Sequence, residues 1–357
     1  MSAIPNPISP DGYSLRLQKI ADELLSHEVE DNRLNAAASD LYSLCSSLTG
    51  IDDHSDHADD SGATRLPSGE AISPRDAARC VLDYSRTSKF LRGLHTAILE
   101  AQNRFPDAAI EILYAGCGPF APLAVPLTTR FDLTEIRFTL LDVHQRSLDA
   151  ARRIFQALGK DAFVRDYIQC DAVSYRHNAP HDIHIVIVEA MQASLEKEPQ
   201  LAMTMNLAPQ LCQGGIFLPE KITINCYLCD LTKEFPAAPP AAAADSLPVG
   251  AGGRVRINLG CLLELTAESC RSLLTVNNDE EDCLARKRIN VPMLVEKEFH
   301  LMLSAAITIF GSIALADYES GLTCPKILYD VGQVRGGQVI EFEYQLGDKP
   351  GFKYRCL

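Results

Sequence analysis

Between residues 110 and 189, short apolar runs rich in β-formers alternate with helical sequence: IEILYAGCGPF, IRFTLLD, the helix QRSLDAARRIFQALG, then FVRDYIQCD and DIHIVIVE. Apolar strand-like runs that alternate with helices pair in parallel, because a parallel pair needs a crossover long enough to hold a helix. A parallel α/β sheet is therefore expected at the centre of the chain.

The flanks read differently. Residues 12–49 place leucines and an isoleucine at helical spacing with a break near Glu30 to Asn32, which suggests a helical hairpin. Residues 52–70 carry acids, His, Gly and Pro without periodicity and read as a solvated linker, with adventitious metal binding through His54 and His57 as the alternative. From Ser73, a plausible N-cap followed by Pro74 at the first helical position, one helix is expected to run through PRDAARCVLDYSRTSKFLRGLHTAILEA. Beyond GGIFLPEKITINCYL the helical signal fades, and residues 220–357 read as mainly β. The tract at 236–253 is low in complexity and reads as a loop. The expected division is a helical hairpin and acidic linker at 1–72, an α/β domain at 73–219 and a β-rich domain at 220–357.

With 357 residues, 46% of them hydrophobic, the chain can build a proper core. A formal net charge of −14, with no block of Lys and Arg, argues against nucleic acid and favours a cationic substrate or partner. The opening MSAIPNPISPDG has no charged and apolar leader, so a cytoplasmic protein is expected. The apolar stretch at 301–316 is short for a membrane span and contains Gly311, so it reads as two strands of a buried sheet and no membrane partner is expected. Most of the twelve scattered cysteines should be reduced and buried. Cys226 and Cys229 have the spacing of a metal pair, but no second pair completes a site and a strand would turn the two thiols to opposite faces. No metal is expected.

The turn AGCGPFA follows a strand, and Gly116 and Gly118 let the backbone turn tightly beside a ligand. With Ala121 and with Asp142 ending the next strand, it satisfies a dinucleotide fingerprint. An S-adenosylmethionine site uses the same geometry, and a purely structural turn is a third possibility.

Downstream motifs separate these readings. In EAMQASLEKE, residues Glu189, Met191, Leu195 and Glu198 match ExMxxxLxxE, which resembles the paired-glutamate loop of protein arginine methyltransferases. LAPQLCQGGIFLPEKITI resembles that family's passage into its β-barrel, and Asp83, Arg86 and Thr87 resemble its helix before the glycine turn. SGLTCPKILYDVGQVRGGQVIEFEY resembles its threonine-led loop, which places Thr323. The matches keep their order from about residue 76 to about residue 345. The resemblance implies a class I, Rossmann-like methyltransferase domain followed by a β-barrel-like domain, S-adenosylmethionine as cofactor, and a homodimer. It implies cofactor contacts from Arg86, Gly116, Cys117, Gly118, Asp142 and Asp171. It makes Glu189 and Glu198 the catalytic pair and Glu189, Met191, Glu198 and Thr323 the substrate contacts.

This sequence also departs from the family. Tyr114 stands for an acid, Phe120 for the third glycine, and Cys324 and Pro325 for a histidine and tryptophan. Because these changes lie in substrate-facing parts, the expected acceptor is a guanidino nitrogen of free arginine or an arginine-derived small molecule ahead of a peptidyl one. Another natural-product acceptor, or a non-catalytic interaction protein with the same fold, are the competing readings. A straight helix makes about two and a half turns over the nine residues from Glu189 to Glu198, which would point the acids apart. The segment is therefore expected to be a bent loop.

Overall fold

The computed structural model describes residues 10–55, 57–235, 253–270, 283–293 and 299–357. Most of the low-complexity tract, residues 236–252, lies outside the described residues. Two helices open the chain, α1 (Pro10–Leu25) and α2 (Asp31–Thr49), with the break a few residues ahead of its expected position. The leucines that set the helical period are the ones that pack: Leu17 and Leu24 on α1 and Leu41 and Leu44 on α2 are fully buried. They belong to the same buried cluster as the central sheet, so the hairpin shares its core with the α/β unit. Tyr42 meets Phe120 edge-on with ring centroids 5.8 Å apart. Arg92 Nε donates to the carbonyl of Leu24 at 2.9 Å, closing the end of α1.

The stretch at 52–70 is not the solvated linker its composition suggests. It folds into a 3-10 turn at Ala58–Asp60 and a two-stranded hairpin, β1 (Thr64–Leu66) and β2 (Gly69–Ala71). Asp60 is fully buried, and a buried carboxylate needs a cation: Arg146 Nε donates to it at 2.7 Å. His54 and His57 are exposed, and the described residues contain no group of ligands that could hold a metal.

The single helix expected after Ser73 is divided. Ser73 caps α3 (Pro74–Arg79) by accepting from the N–H of Asp76 at 3.1 Å, a 3-10 turn follows at Cys80–Leu82, and α4 (Tyr84–Arg104) starts afresh. Asp83 causes the restart, since its Oδ1 accepts from the N–H of Arg86 at 3.1 Å and so caps a new first turn.

Five parallel strands follow: β3 (Ile110–Ala115), β4 (Ile136–Asp142), β5 (Val164–Gln169), β6 (Ile185–Val188) and β7 (Ile216–Leu218). Their order is β5-β4-β3-β6-β7, with α5 (Gln145–Ala157) between β4 and β5 and α6 (Gln200–Leu207) between β6 and β7. Strand order reverses between β3 and β6, and sheets of this kind bind ligands beyond the carboxyl ends of the strands at that crevice.

The rest of the chain is antiparallel. One sheet runs from β8 (Lys221–Cys229) to β9 (Arg256–Leu265) on one side. Past β10 (Cys283–Asn290), the strands β11 (Phe299–Phe310) and β12 (Ile313–Leu315) lie on its other side. The apolar stretch at 301–316 is therefore two strands, as its Gly311 suggested, and among the described residues no helix is long and apolar enough to cross a membrane. Two short strands, β13 (Lys326–Ile327) and β14 (Gln333–Val334), also pair with β11, while β15 (Val339–Gln345) and β16 (Gly351–Cys356) join β10 in a second sheet. Cys226 and Cys229 on β8 are buried in separate apolar clusters and are free thiols.

Leu41→Ala empties a fully buried position in the cluster that the hairpin shares with the sheet. A loss of about 2–5 kcal/mol is expected, read from denaturant unfolding. A loss below about 1 kcal/mol would mean that the hairpin is an appendage the rest of the fold does not feel.

Candidate active site

The pocket lies beyond the carboxyl ends of β3, β4 and β6. Its floor is the turn after β3, where Gly116 and Gly118 take the left-handed backbone, with φ of +73° and +62°. The turn is tied to β4 on both sides. Gly116 and Cys117 donate their N–H groups to the carbonyl of Leu141 at 2.9 and 3.1 Å, and Gly118 donates to Oδ2 of Asp142 at 2.9 Å. The other oxygen of Asp142 accepts from the N–H of His144 at 2.8 Å. Asp142 thus fixes the turn and keeps further lone pairs for a hydroxyl donor. The Cys117 thiol is pushed well above its ordinary range by burial and by the charge of Asp142, so it serves as wall and not as nucleophile.

Above this floor stand Arg86, Glu189 and Glu198. Arg86 comes from the first turn of α4, which the Asp83 cap holds in place. Glu189 directly follows β6, and the two side chains form a largely buried ion pair. Even so, Oε1 of Glu189 is shut off from water without a well-aligned hydrogen bond.

Glu198 reaches the same pocket because the intervening segment is bent. Ser194, Leu195 and Lys197 all adopt left-handed backbone, with φ of +60°, +57° and +63°. Such conformations cost of order 1–3 kcal/mol each and persist only where surroundings over-determine them. Here Gln200, fully buried, accepts from the N–H of Ala190 at 3.0 Å and donates to the carbonyl of Val188 at 3.2 Å. Tyr344 Oη donates to the carbonyl of Leu195 at 2.7 Å, and Lys197 donates its N–H to the carbonyl of Pro350 at 3.0 Å. The expected bend is present.

Three other expected contacts are not in the pocket wall. Asp171 is consumed locally: it accepts from the N–H of Val173 at 2.9 Å and from Ser68 Oγ at 3.2 Å, while its neighbours Cys170 and Ala172 line the pocket. Met191 is taken by the apolar core, and Thr323 is fully buried in a capping box with Ser320. The loop of Thr323 still reaches the site indirectly, since Ser320 Oγ donates to Oδ2 of Asp83 at 2.7 Å, at the turn that carries Arg86.

Other wall residues gave no sequence signal. Leu66, Glu70, Ala71 and Ile72 bring the β1–β2 segment against the pocket, and Thr64 Oγ1 lies 3.0 Å from Nε2 of His144. Tyr114, where the resembling family has an acid, is buried in the wall with its hydroxyl pushed well above the ordinary range by burial and by Glu189. Phe120 is not in the wall; it packs against Tyr42 of the hairpin.

Among solved structures, the chain is similar to a Trypanosoma brucei PRMT1 enzyme-prozyme heterotetrameric complex with AdoHcy. The TM-score is 0.51 and the identity 12%, over 78% of this chain and 91% of that one. The fold is that of a Rossmann-like methyltransferase. No family model and no curated protein matches the sequence.

Within this methyltransferase fold the two glutamates titrate abnormally. Burial raises the Glu189 carboxyl while Arg86 opposes that rise. Glu198 is pushed up to about 7, first by burial and then by the charge of Glu189, against the opposing pull of Arg86. A carboxyl whose folded pKa lies above its unfolded value stabilises the fold fully below the unfolded pKa and loses that contribution as pH rises through the folded one. The window for Glu198 runs from about 4.5 to about 7. Glu198→Gln should therefore be more favourable to stability, relative to wild type, at pH 8 than at pH 5. Urea unfolding of both proteins at the two values checks this, and a pH-independent difference would contradict it.

Proposed function

We propose that this protein is an S-adenosylmethionine-dependent N-methyltransferase whose acceptor is a guanidino nitrogen. The observation that carries the reading is the bent loop, which returns Glu198 to the pocket of Glu189 beside the glycine turn and Asp142. A strained, over-determined loop that buries two carboxylates with one arginine has no structural need. It suits a cationic ligand.

The residues present fit the cofactor. Gly116 and Gly118 offer a wall without side chains, Asp142 has lone pairs for ribose hydroxyls, and Arg86 is a cation for a carboxylate. S-adenosylmethionine would supply an electrophilic methyl group on a sulfonium. The protein's task is to present a nucleophile to it.

A guanidinium at neutral pH has no free lone pair, and deprotonating it beforehand would cost on the order of 7–8 kcal/mol at pH 7 from a pKa of about 12.5. Glu189 and Glu198 address this by binding. Carboxylates on two sides of the planar fork orient it and draw its charge away from the target nitrogen, and that nitrogen becomes more acidic as it takes up the methyl. Glu198, held near neutrality when the acceptor is absent, is the side chain best placed to receive the proton. Glu189, once a ligand anion takes Arg86 from it, is the other acceptor of the fork.

The altered substrate-facing residues, with Cys324 and Pro325 after Thr323, favour free arginine or an arginine-derived small molecule over a protein side chain. The departures at Tyr114 and Phe120 do not favour a non-catalytic reading. Phe120 answers to Tyr42, and Tyr114 leaves the floor of the pocket intact. Assembly as a homodimer belongs to the same proposal, and sedimentation velocity measures it.

Incubation with methyl-labelled cofactor against guanidino compounds, arginine peptides and other amines, with mass spectrometry of the products, should place the label on a guanidino nitrogen. Glu189→Gln should lower kcat by about 100-fold or more, in the range found when a charge-stabilising group is removed from an active site. Label found on non-guanidino acceptors alone, with activity retained in Glu189→Gln, would overturn the assignment.

A further inference from the structure

The proposed clamp leaves one acid of the pocket unused. Glu70, on β2, lines the same pocket as Glu189 and Glu198. It also lines the adjoining groove, whose charged walls are Glu196, Asp348, Lys197, Lys349 and Lys353. Glu70 therefore belongs to both spaces and stands between the clamp and the groove.

Its position is built by the backbone. The N–H of Glu70 donates to the carbonyl of Lys197 at 2.7 Å, and Lys197 lies in the loop that carries Glu198. Gly69 permits this approach: with φ of +142°, an added Cβ would lie 2.6 Å from the Lys197 carbonyl oxygen and 3.3 Å from Cδ of Pro199. The strand and the glutamate loop are thus joined main chain to main chain.

The groove lysines Lys197, Lys349 and Lys353 do not engage Glu70. Among the described residues, its carboxylate has no hydrogen-bond or ion-pair partner. The pocket wall sets Glu70, Asp142, Glu189 and Glu198 against Arg86, which Glu189 already engages. His144 is held between Asp142 and Thr64. Glu70 adds to the field felt by Glu198, which burial and Glu189 dominate. An acid without a contacting cation beside a buried carboxylate pair favours a ligand that brings a second positive group.

We propose that Glu70 is a specificity residue that pairs with a second cationic group of the acceptor, so that the acceptor is a small guanidino compound carrying a protonated amine. The inference rests on the guanidino methyltransferase reading. It extends that reading because Glu189 and Glu198 account for one planar fork, whereas Glu70 comes from a different element and lines the groove as well as the pocket.

The test is calorimetric binding of 4-aminobutylguanidine and of butylguanidine to the full chain, with and without saturating S-adenosylhomocysteine. Wild type should bind the diamine-type cation at least tenfold more tightly. Glu70→Gln should bring the two affinities within about twofold of each other, and Glu70→Asp should retain part of the preference. Equal affinities in wild type, no binding of either compound, or an undiminished preference in Glu70→Gln would overturn the inference. Tighter binding of a short peptide with arginine beside lysine would overturn its small-molecule part. Turnover of both compounds is followed in parallel with labelled cofactor. Selective binding without methyl transfer would sink the methyltransferase reading and leave the role of Glu70 standing, while transfer without selectivity would do the reverse.

Discussion

The ion pair between Arg86 and Glu189 is the interaction around which the rest of the structure is arranged. Its partners arrive from elements far apart in sequence, the first turn of α4 and the carboxyl end of β6, and they meet at the point where strand order reverses. Taking two charges out of water costs several kcal/mol each, and losing one partner of a buried pair costs about 3–5 kcal/mol. Neither side chain can be left alone there. A ligand that separates them must bring an anion for Arg86 and a cation for Glu189. In the proposed function a cofactor carboxylate and an acceptor guanidinium would do that.

The supports of this pair explain features that otherwise look incidental. Asp83 interrupts a helix that could have run on, and its cap fixes the turn holding Arg86 while its second oxygen holds the loop of Ser320. Gln200 bonds both main-chain groups beside Glu189 and so fixes where β6 ends and the loop begins. That loop is held at three places, by Gln200 where it leaves β6, by Tyr344 at Leu195 and by the Pro350 carbonyl at Lys197. Strain spread over several anchors is tolerated where a single anchor would let the loop relax.

Periodicity made the framework legible. The alternation from Ile110 to Val188 is the parallel sheet, Gly116 and Gly118 do take left-handed backbone, and the interval between Glu189 and Glu198 correctly excluded a straight helix. Long-range compensation was not legible. Residues 52–70 have the composition of a linker, and only the partner Arg146, beyond β4, shows why Asp60 can be buried and the strand bearing Glu70 held down. Phe120 looks like damage to the glycine turn until Tyr42 is seen against it. Asp171, Met191 and Thr323 kept the family spacing, yet each side chain is spent on a turn, the core or a cap. A motif position transfers the location of a residue more safely than the direction of its side chain.

The central claim is that this pocket holds S-adenosylmethionine through Arg86, Asp142 and the glycine turn. A crystal structure with S-adenosylhomocysteine tests it most directly. The account predicts the ribose hydroxyls against Asp142, the amino acid end beside Gly116 and Gly118 with its carboxylate on Arg86, and Glu189 turned toward the acceptor space. A structure in which the Arg86–Glu189 pair is undisturbed, and the nucleoside lies elsewhere or is absent at saturating concentration, would contradict it.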